Sequence, residues 1–204
     1  MKKSKLVILK KDKSIDYNTE ADMFLNELDK ANKEHDVQKY IKDNKKWFIP
    51  GALFHNYNFG HHEAMIIPEF HLGEEYIADY LLIGRNSIGR YLVFVEFENV
   101  NVEICLKTSN AFTDDVRKGI TQIKDWKRWI AANKEYMVRN TELAKWIDLP
   151  LQDWRICYCL VVGRRSLNND MAKNLRGEEE HSSGISIVTY DRIVDKMRLL
   201  VNGF

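Results

Sequence analysis

Two glutamates end an apolar segment of this sequence and could bind a cation. The segment Tyr91–Glu98 is apolar on both faces at its start, which predicts a buried, central β-strand. Because side chains alternate across a strand, Glu96 and Glu98 are expected on the same face. An unpaired ionised carboxylate is costly to bury. The pair must therefore reach solvent, contact cations or coordinate a metal ion.

Asp79 occupies a comparable position in the middle of Tyr76–Ile83, which we predict to be the neighbouring strand. Adjacent strands lie about 4.8 Å apart, so the carboxylates of Asp79, Glu96 and Glu98 could converge on one ion. Oxygen ligands that leave room for water favour Mg²⁺ or Mn²⁺, which would polarise a scissile phosphate and acidify an attacking water. The alternative is that both glutamates reach solvent and Asp79 pairs with an arginine. Spacing alone leaves both interpretations open.

A long helix predicted at Phe112–Tyr136 could contact both the sheet and a phosphate. Gln122 lies at the edge of its buried stripe, and Arg117, Lys118 and Lys124 lie on its remaining faces. Such cations can bind the DNA backbone independently of base sequence. The alternative is a solvated helix surface whose charge is balanced by neighbouring aspartates.

The rest of the chain predicts elements that would position these residues. Hydrophobic periodicity predicts four further helices, at 19–33, 34–44, 143–147 and 191–200, and three further strands, at 65–70, 155–162 and 184–188. Residues 47–62 are predicted to form a loop, and 178–182 an exposed acidic loop. Three consecutive strands followed by alternating helices and strands predict a mixed α/β fold, with a central mixed sheet flanked by helices.

Composition sets broad limits on the class of protein. The 204 residues, 45% of them hydrophobic, can bury one core, so we expect a single domain over 1–204, with an N-terminal helical cover at 17–46 and a catalytic core at about 63–204. The formal charge of +1 neither requires nor excludes a polyanionic partner. Apolar stretches are shorter than the roughly 18 to 20 residues that a membrane helix needs. The three cysteines are expected to be free thiols in the cytoplasm.

Several segments resemble the Shedu anti-phage defence nuclease family. The resemblance rests on V-E-F-E-N at 95–99 and on T-D-D-V-R-K-G-I-T-Q-I-K-D-W-K-R-W-I-A-A-N at 113–133. Segments at 66–83, 159–165 and 187–193 agree with it, so the resemblance extends roughly from Glu34 to the C-terminus. The family is a branch of the PD-(D/E)XK fold. The resemblance therefore implies a restriction-endonuclease-like core that cleaves DNA.

The resemblance also implies roles for individual residues. Asp79 and Glu96 correspond to metal ligands, and Gln122 matches the glutamine of the helix that follows the catalytic strand. Glu34 resembles the acidic residue that many members of this fold place on the first helix beside the metal. Homo-oligomerisation is implied in the same way, and regulation is expected from self-association or from a separate regulatory protein.

One departure from the family pattern leaves the activity open. The usual Glu-x-Lys ending of the catalytic strand reads Glu96-Phe97-Glu98, so the expected lysine is missing. Glu98 could be an extra metal ligand, and Lys107 or Lys118 could replace the missing charge. The main hypothesis is a metal-dependent endonuclease. The alternatives are a catalytically weak or inactive DNA-binding or assembly module and a protein-interaction domain.

Overall fold

A computed structural model describes residues 5–107 and 109–204 of the chain. The strands in this part of the chain are β1 Val7–Leu9, β2 Glu63–Leu72, β3 Tyr76–Arg85, β4 Arg90–Phe97, β5 Ile156–Val161 and β6 Ile185–Val188. The α-helices are α1 Tyr17–Lys30, α2 Glu34–Asp43, α3 Phe48–Gly51, α4 Asp114–Arg139, α5 Asp170–Ser183 and α6 Tyr190–Met197. Short 3₁₀ segments lie at Ala52–Asn56, Glu142–Lys145, Asp153–Arg155, Arg165–Leu167 and Arg198–Asn202.

The strands form one mixed sheet in the order β1-β2-β3-β4-β5-β6. Strands β1 to β4 pair antiparallel, whereas β5 and β6 extend the sheet in parallel from β4. The seven residues after Arg90 in β4 are all buried, as expected for a central strand covered on both faces. The predicted antiparallel meander and the mixed sheet flanked by helices are therefore confirmed.

Each face of the sheet has its own hydrophobic core. Helices α1, α2 and α6 supply Phe24, Ile41 and Met197 to one core, and α4 and α5 supply Trp126 and Leu175 to the other. The alternation of side chains along β4 divides its residues between the two cores. None of the helices in the described part of the chain has the length and apolar character needed to cross a membrane.

The regular pleat of the sheet is interrupted beside Asp79. Glu69 in β2 has φ of 50°, which a non-glycine residue adopts rarely. Pro68 pairs with Tyr80 and Phe70 with Ala78, so Glu69 lies opposite Asp79. Ile67 and Phe70 are three positions apart yet contact the same core, so the alternation of faces breaks at Glu69. The alternation of side chains in β2 is thus interrupted opposite Asp79, the residue predicted to carry chemistry.

Some sequence-based expectations for the elements are wrong. The predicted loop at 47–62 contains α3 and a 3₁₀ segment, and the predicted acidic loop at 178–182 lies inside α5. Helix α5 is stabilised by Asn169, whose side chain caps the backbone N–H of Ala172, and it ends at Gly184, which has left-handed dihedrals. The periodicity of the sequence also does not reveal β1, because three residues are too few to show a pattern.

Candidate active site

Asp79 lies against the end of the central strand. Tyr80 pairs with Val95 in the register of β3 and β4, so the next position places Asp79 opposite Glu96. The Oδ2 atom of Asp79 accepts a hydrogen bond of 2.7 Å from the backbone N–H of Phe97. The predicted proximity of the carboxylates on these two strands is therefore present in the structure.

Glu96 is the least satisfied carboxylate of this region. Its side chain is buried, and its Oε2 atom has no hydrogen-bond partner among the described residues. Burial, followed by the negative charges of Asp79, Glu98 and Glu34, raises the pKa of Glu96 well above its usual range. A buried acceptor without a partner costs free energy, so this site favours a proton or a cation.

Glu98 is fixed through both its backbone and its side chain. Its N–H donates to the carbonyl of Val161 at 2.8 Å, and its carbonyl accepts a hydrogen bond of 2.7 Å from the hydroxyl of Tyr190. Lys118 Nζ lies 3.1 Å from its Oε1 and 3.3 Å from its Oε2. Burial raises the pKa of Glu98 above its usual range, and Lys118 opposes that shift.

The close approach of helix α4 to Glu98 depends on Gly119. A Cβ atom at this position would lie 2.6 Å from Leu160 Cδ1 and 3.0 Å from Glu98 Cγ. Because the glycine has no side chain, the helix backbone can pack directly on β4 and β5. This contact places the adjacent Lys118 at the carboxylates.

Glu34 is the first residue of α2 and reaches the same region from the other face of the sheet. Gln38 Nε2 donates a hydrogen bond of 2.6 Å to Glu34 Oε1, and the Gln38 side chain also donates to Asp79. Burial, followed by the charges of Asp79 and Glu98, raises the pKa of Glu34 to about 7. The acidic residue that the resemblance suggested thus interacts electrostatically with the strand carboxylates.

The acidic cluster consists of Glu34, Asp79, Glu96 and Glu98. Lys118, which pairs with Glu98, connects it to an open groove of about 870 Å³ that none of these four residues lines. Its walls come from Glu75 and the start of β3 and from residues 117–126 of α4, and they include Lys118 and Gln122. Within the described part of the chain, Gln122 makes no hydrogen bond to the carboxylates. The structure therefore places Gln122 in the groove, one turn from Lys118.

The other cations considered from the sequence are distributed differently. Arg117 lines the groove but pairs with Asp114, and it donates to the carbonyl of Phe112 at 2.9 Å. Lys124 faces α5, where it lies 2.8 Å from Glu179. Lys107 pairs with Glu103 at 2.9 Å and is 77% exposed, so Lys118 is the lysine that reaches Glu98.

The acidic cluster has the chemistry of a site for a hard divalent cation but does not enclose one. Across residues 5–107 and 109–204, no group of three or more His, Cys, Asp or Glu side chains forms an arrangement that could hold a metal ion as it stands. The free Oε2 atom of Glu96 and the mutual repulsion of four carboxylates nevertheless fit a cation with oxygen ligands. Gln38 donates a hydrogen bond to Glu34, and Lys118 donates one to Glu98. A cation bound by these carboxylates would compete with both contacts.

Two residues of this region were not anticipated from the sequence. Gln38 bridges Glu34 and Asp79, and its position four residues after Glu34 on one helix was an available signal. Tyr190 is completely buried and holds the backbone of Glu98. Its contact partner is ninety-two positions away in sequence, so no local pattern indicates its role.

Comparisons with known proteins identify a family. No curated protein matches the chain in a sequence comparison. Among solved structures, the restriction endonuclease FokI bound to DNA aligns over 95% of this chain with 13% identity and a TM-score of 0.48. This chain spans 31% of that one. The family model described as Shedu protein SduA, C-terminal, matches residues 31–194. Since that match includes most of the sequence, the chain belongs to the Shedu SduA C-terminal family.

Proposed function

We propose that this chain is a metal-dependent DNA endonuclease that acts in bacterial anti-phage defence. The observation that carries the proposal is the buried Glu96 carboxylate, which neighbours the charges of Asp79, Glu98 and Glu34 and has an Oε2 atom with no described hydrogen-bond partner. Membership of the Shedu family supports the same role. A buried cluster of acids is unfavourable for stability alone, which favours a function in cation binding.

The proposed ligands of Mg²⁺ or Mn²⁺ are the carboxylates of Asp79, Glu96, Glu98 and Glu34. When bound, such an ion supplies positive charge to the scissile phosphate and makes a water molecule more acidic. The chain itself fixes two of the ligands. Phe97 N–H holds Asp79, and the backbone contacts of Glu98 keep the end of β4 in place.

Lys118 is proposed to act on the phosphate from the groove side. Its ammonium group can stabilise the negative charge that develops on the phosphate oxygens as the P–O bond breaks. Gln122 lines the same groove and can donate its amide protons to the DNA backbone. Arg117 and Lys124 remain proposed phosphate contacts, although each is held by an acidic neighbour in this structure.

A second candidate is a DNA-binding or assembly module with weak or no cleavage. The observation that favours it is the replacement of the expected lysine by Glu98, which Lys118 already neutralises in part. Such a module would bind DNA in a salt-sensitive way without requiring a metal ion.

The cellular setting is part of the proposal. We propose that the chain acts in the cytoplasm as a homo-oligomer, with a single nuclease-like domain over 1–204. Its activity would be controlled by self-association or by a separate regulatory protein.

A cleavage assay separates the two candidates. Purified protein is incubated with duplex and single-stranded DNA in Mg²⁺, in Mn²⁺ and in EDTA, beside the variants Glu96→Ala and Glu135→Ala. Glu135 is an exposed residue of α4 and serves as the matched control. We expect metal-dependent cleavage by wild type and Glu135→Ala and none by Glu96→Ala. Equal cleavage by Glu96→Ala would remove the proposed site, and binding without cleavage would favour the second candidate.

A further inference from the structure

A second polar cavity lies at the opposite end of the central strands. It has a volume of about 290 Å³ and lies beside the turn between β3 and β4. Three guanidinium groups line it, from Arg85, Arg90 and Arg155. Arg90 begins β4 and Glu98 follows its far end. At about 3.3 Å per residue along the strand, the cavity is roughly 25 Å from the acidic cluster. The proposed nuclease site does not use these arginines.

Arg155 has few partners for its charge. It forms no salt bridge with any described residue, its Nε atom is buried without an acceptor, and its Nη2 makes one long hydrogen bond of 3.4 Å to the carbonyl of Ile88. Its guanidinium lies 4.8 Å from the ring centroid of Trp154, within the range of a cation–π contact. A buried donor without an acceptor costs free energy, so this position favours an oxyanion.

The turn between the strands is shaped to admit Arg155. The side chain of Asn86 accepts hydrogen bonds from the N–H groups of Ile88 and Gly89, at 2.9 and 3.3 Å. Gly89 has φ of 151°, and a Cβ atom there would lie 2.8 Å from Arg155 Nη1. The turn is thus ordered and leaves space for the guanidinium group.

The other two arginines are oriented by one carboxylate. Glu63 accepts hydrogen bonds of 2.9 and 3.1 Å from Arg90 and 3.1 Å from Arg85. Arg90 also donates to the carbonyl of Trp146 at 3.0 Å. Asp148 is the acidic residue among those that line the cavity. The three guanidinium groups carry three positive charges, and the carboxylates of Glu63 and Asp148 carry two negative charges. One positive charge is therefore left unbalanced.

We propose that this cavity binds a phosphate monoester group. Planar guanidinium groups form paired hydrogen bonds with phosphate oxygens, and a monoester carries up to two negative charges and three free oxygens that can meet three arginines. Two sources have this chemistry: a free phosphate compound such as a nucleoside monophosphate, and the terminal 5′-phosphate of a DNA strand.

Binding is measured by calorimetry in EDTA at constant ionic strength, so that no divalent cation bridges phosphate to the acidic cluster. The probes are inorganic phosphate, adenosine monophosphate, and one oligonucleotide with either a 5′-phosphate or a 5′-hydroxyl. We expect saturable binding of the phosphate probes by wild type and at least a tenfold loss in Arg155→Gln. Arg155→Lys should keep part of the affinity, and Arg139→Gln on an exposed part of α4 should keep all of it.

The comparison of probes identifies the source of the phosphate. If wild type prefers the 5′-phosphorylated strand to the hydroxylated strand and Arg155→Gln loses this preference, the ligand is a DNA end. If wild type binds only the small probes, the ligand is a free phosphate compound. Both results support the proposal. Equal affinity of wild type and a folded Arg155→Gln, as verified by thermal melting, would overturn it. So would the absence of saturable binding, and neither result would alter the cleavage test of Glu96.

Discussion

Lys118 Nζ lies 3.1 Å from Glu98 Oε1 and joins helix α4 to the end of the central strand. The lysine side chain is 65% exposed and the glutamate side chain 3% exposed, so the pair connects the groove with the buried carboxylates. In the family pattern that the sequence resembles, a lysine stands two residues after the catalytic glutamate. Here that position is Glu98, and the positive charge reaches it from a neighbouring helix.

This relationship predicts that Lys118 is required for cleavage. Lys118→Ala should reduce the rate of DNA cleavage by about 10²-fold or more, because loss of one group that stabilises transition-state charge typically costs that much. Lys118→Arg should retain part of the rate. Initial rates on a labelled duplex provide the measurement, with Lys107→Ala as the control, since that lysine pairs with Glu103. Wild-type rates in Lys118→Ala would assign the charge to another residue.

The buried acidic residues should destabilise the protein when no metal ion is bound. Folding must either bury the charge of Glu96 or protonate it, and glutamine avoids both. In EDTA, Glu96→Gln should therefore increase the free energy of unfolding by about 1–3 kcal/mol, which raises Tm by about 2–4 °C per kcal/mol. Glu135→Gln should change Tm little, because Glu135 is exposed.

Added Mg²⁺ provides the complementary measurement. An ion that binds the folded state raises Tm by mass action, so Tm of the wild type should rise with Mg²⁺ concentration and that of Glu96→Gln should rise much less. A Glu96→Gln variant that melts below wild type in EDTA, or that responds equally to Mg²⁺, would argue against a cation site at Glu96.

Gly119 should be intolerant of a side chain. Gly119→Ala places a Cβ atom 2.6 Å from Leu160 Cδ1 and 3.0 Å from Glu98 Cγ, so the helix or the carboxylate must move. We expect a loss of about 1–3 kcal/mol in the free energy of unfolding, together with slower cleavage. Gly177→Ala in α5 is a matched control, because no described atom other than those of its adjacent residues and the nearby backbone of α5 lies within 4 Å of its added Cβ. It should stabilise the protein by up to about 1 kcal/mol. Equal effects of the two substitutions on urea unfolding would contradict the packing argument.

Tyr190 should position Glu98 through its backbone. Tyr190→Phe removes the hydroxyl that donates to the Glu98 carbonyl at 2.7 Å and leaves this buried carbonyl with one partner fewer. The expected cost is about 1–2 kcal/mol of stability, with a decrease in kcat that exceeds any change in DNA affinity. Tyr136→Phe, at an exposed position, should alter neither quantity. If Tyr190→Phe affects DNA affinity alone, Tyr190 does not position Glu98.

Local sequence patterns indicated the strands better than they indicated the contacts between them. The apolar run of β4 and its two terminal glutamates predicted a buried strand with acidic residues at its end, as the structure has it. Asp79 was placed beside them because adjacent strands have a fixed spacing. Gln38 and Tyr190 were missed because their roles depend on packing between helices and the sheet.

Sequence patterns also do not predict the arginine cavity. Arg85 and Arg90 flank one turn, whereas Arg155 comes from the 3₁₀ segment before β5 and reaches that turn only in the folded sheet. Arginines on a surface are usually solvated, so no spacing of these three residues predicts a shared cavity. The parallel pairing of β4 with β5 brings them together.

Glu63 should make stability depend on pH in the acidic range. Its hydrogen bonds with Arg90, followed by those with Arg85, lower the pKa of Glu63 below its ordinary value of 4.5. A carboxyl group whose pKa is lower in the folded state stabilises the protein above pH 4.5, and this contribution is lost as pH falls through the folded-state pKa. Glu63→Gln should thus cost about 1 kcal/mol at pH 7, and this cost should become smaller as the pH is lowered from 4.5 to about 3. Urea unfolding of both proteins at the two pH values tests the prediction, with Glu135→Gln as an exposed control. The difference in stability between wild type and Glu63→Gln could instead be the same at both pH values. That result would show that the two arginines do not hold the glutamate in its charged form.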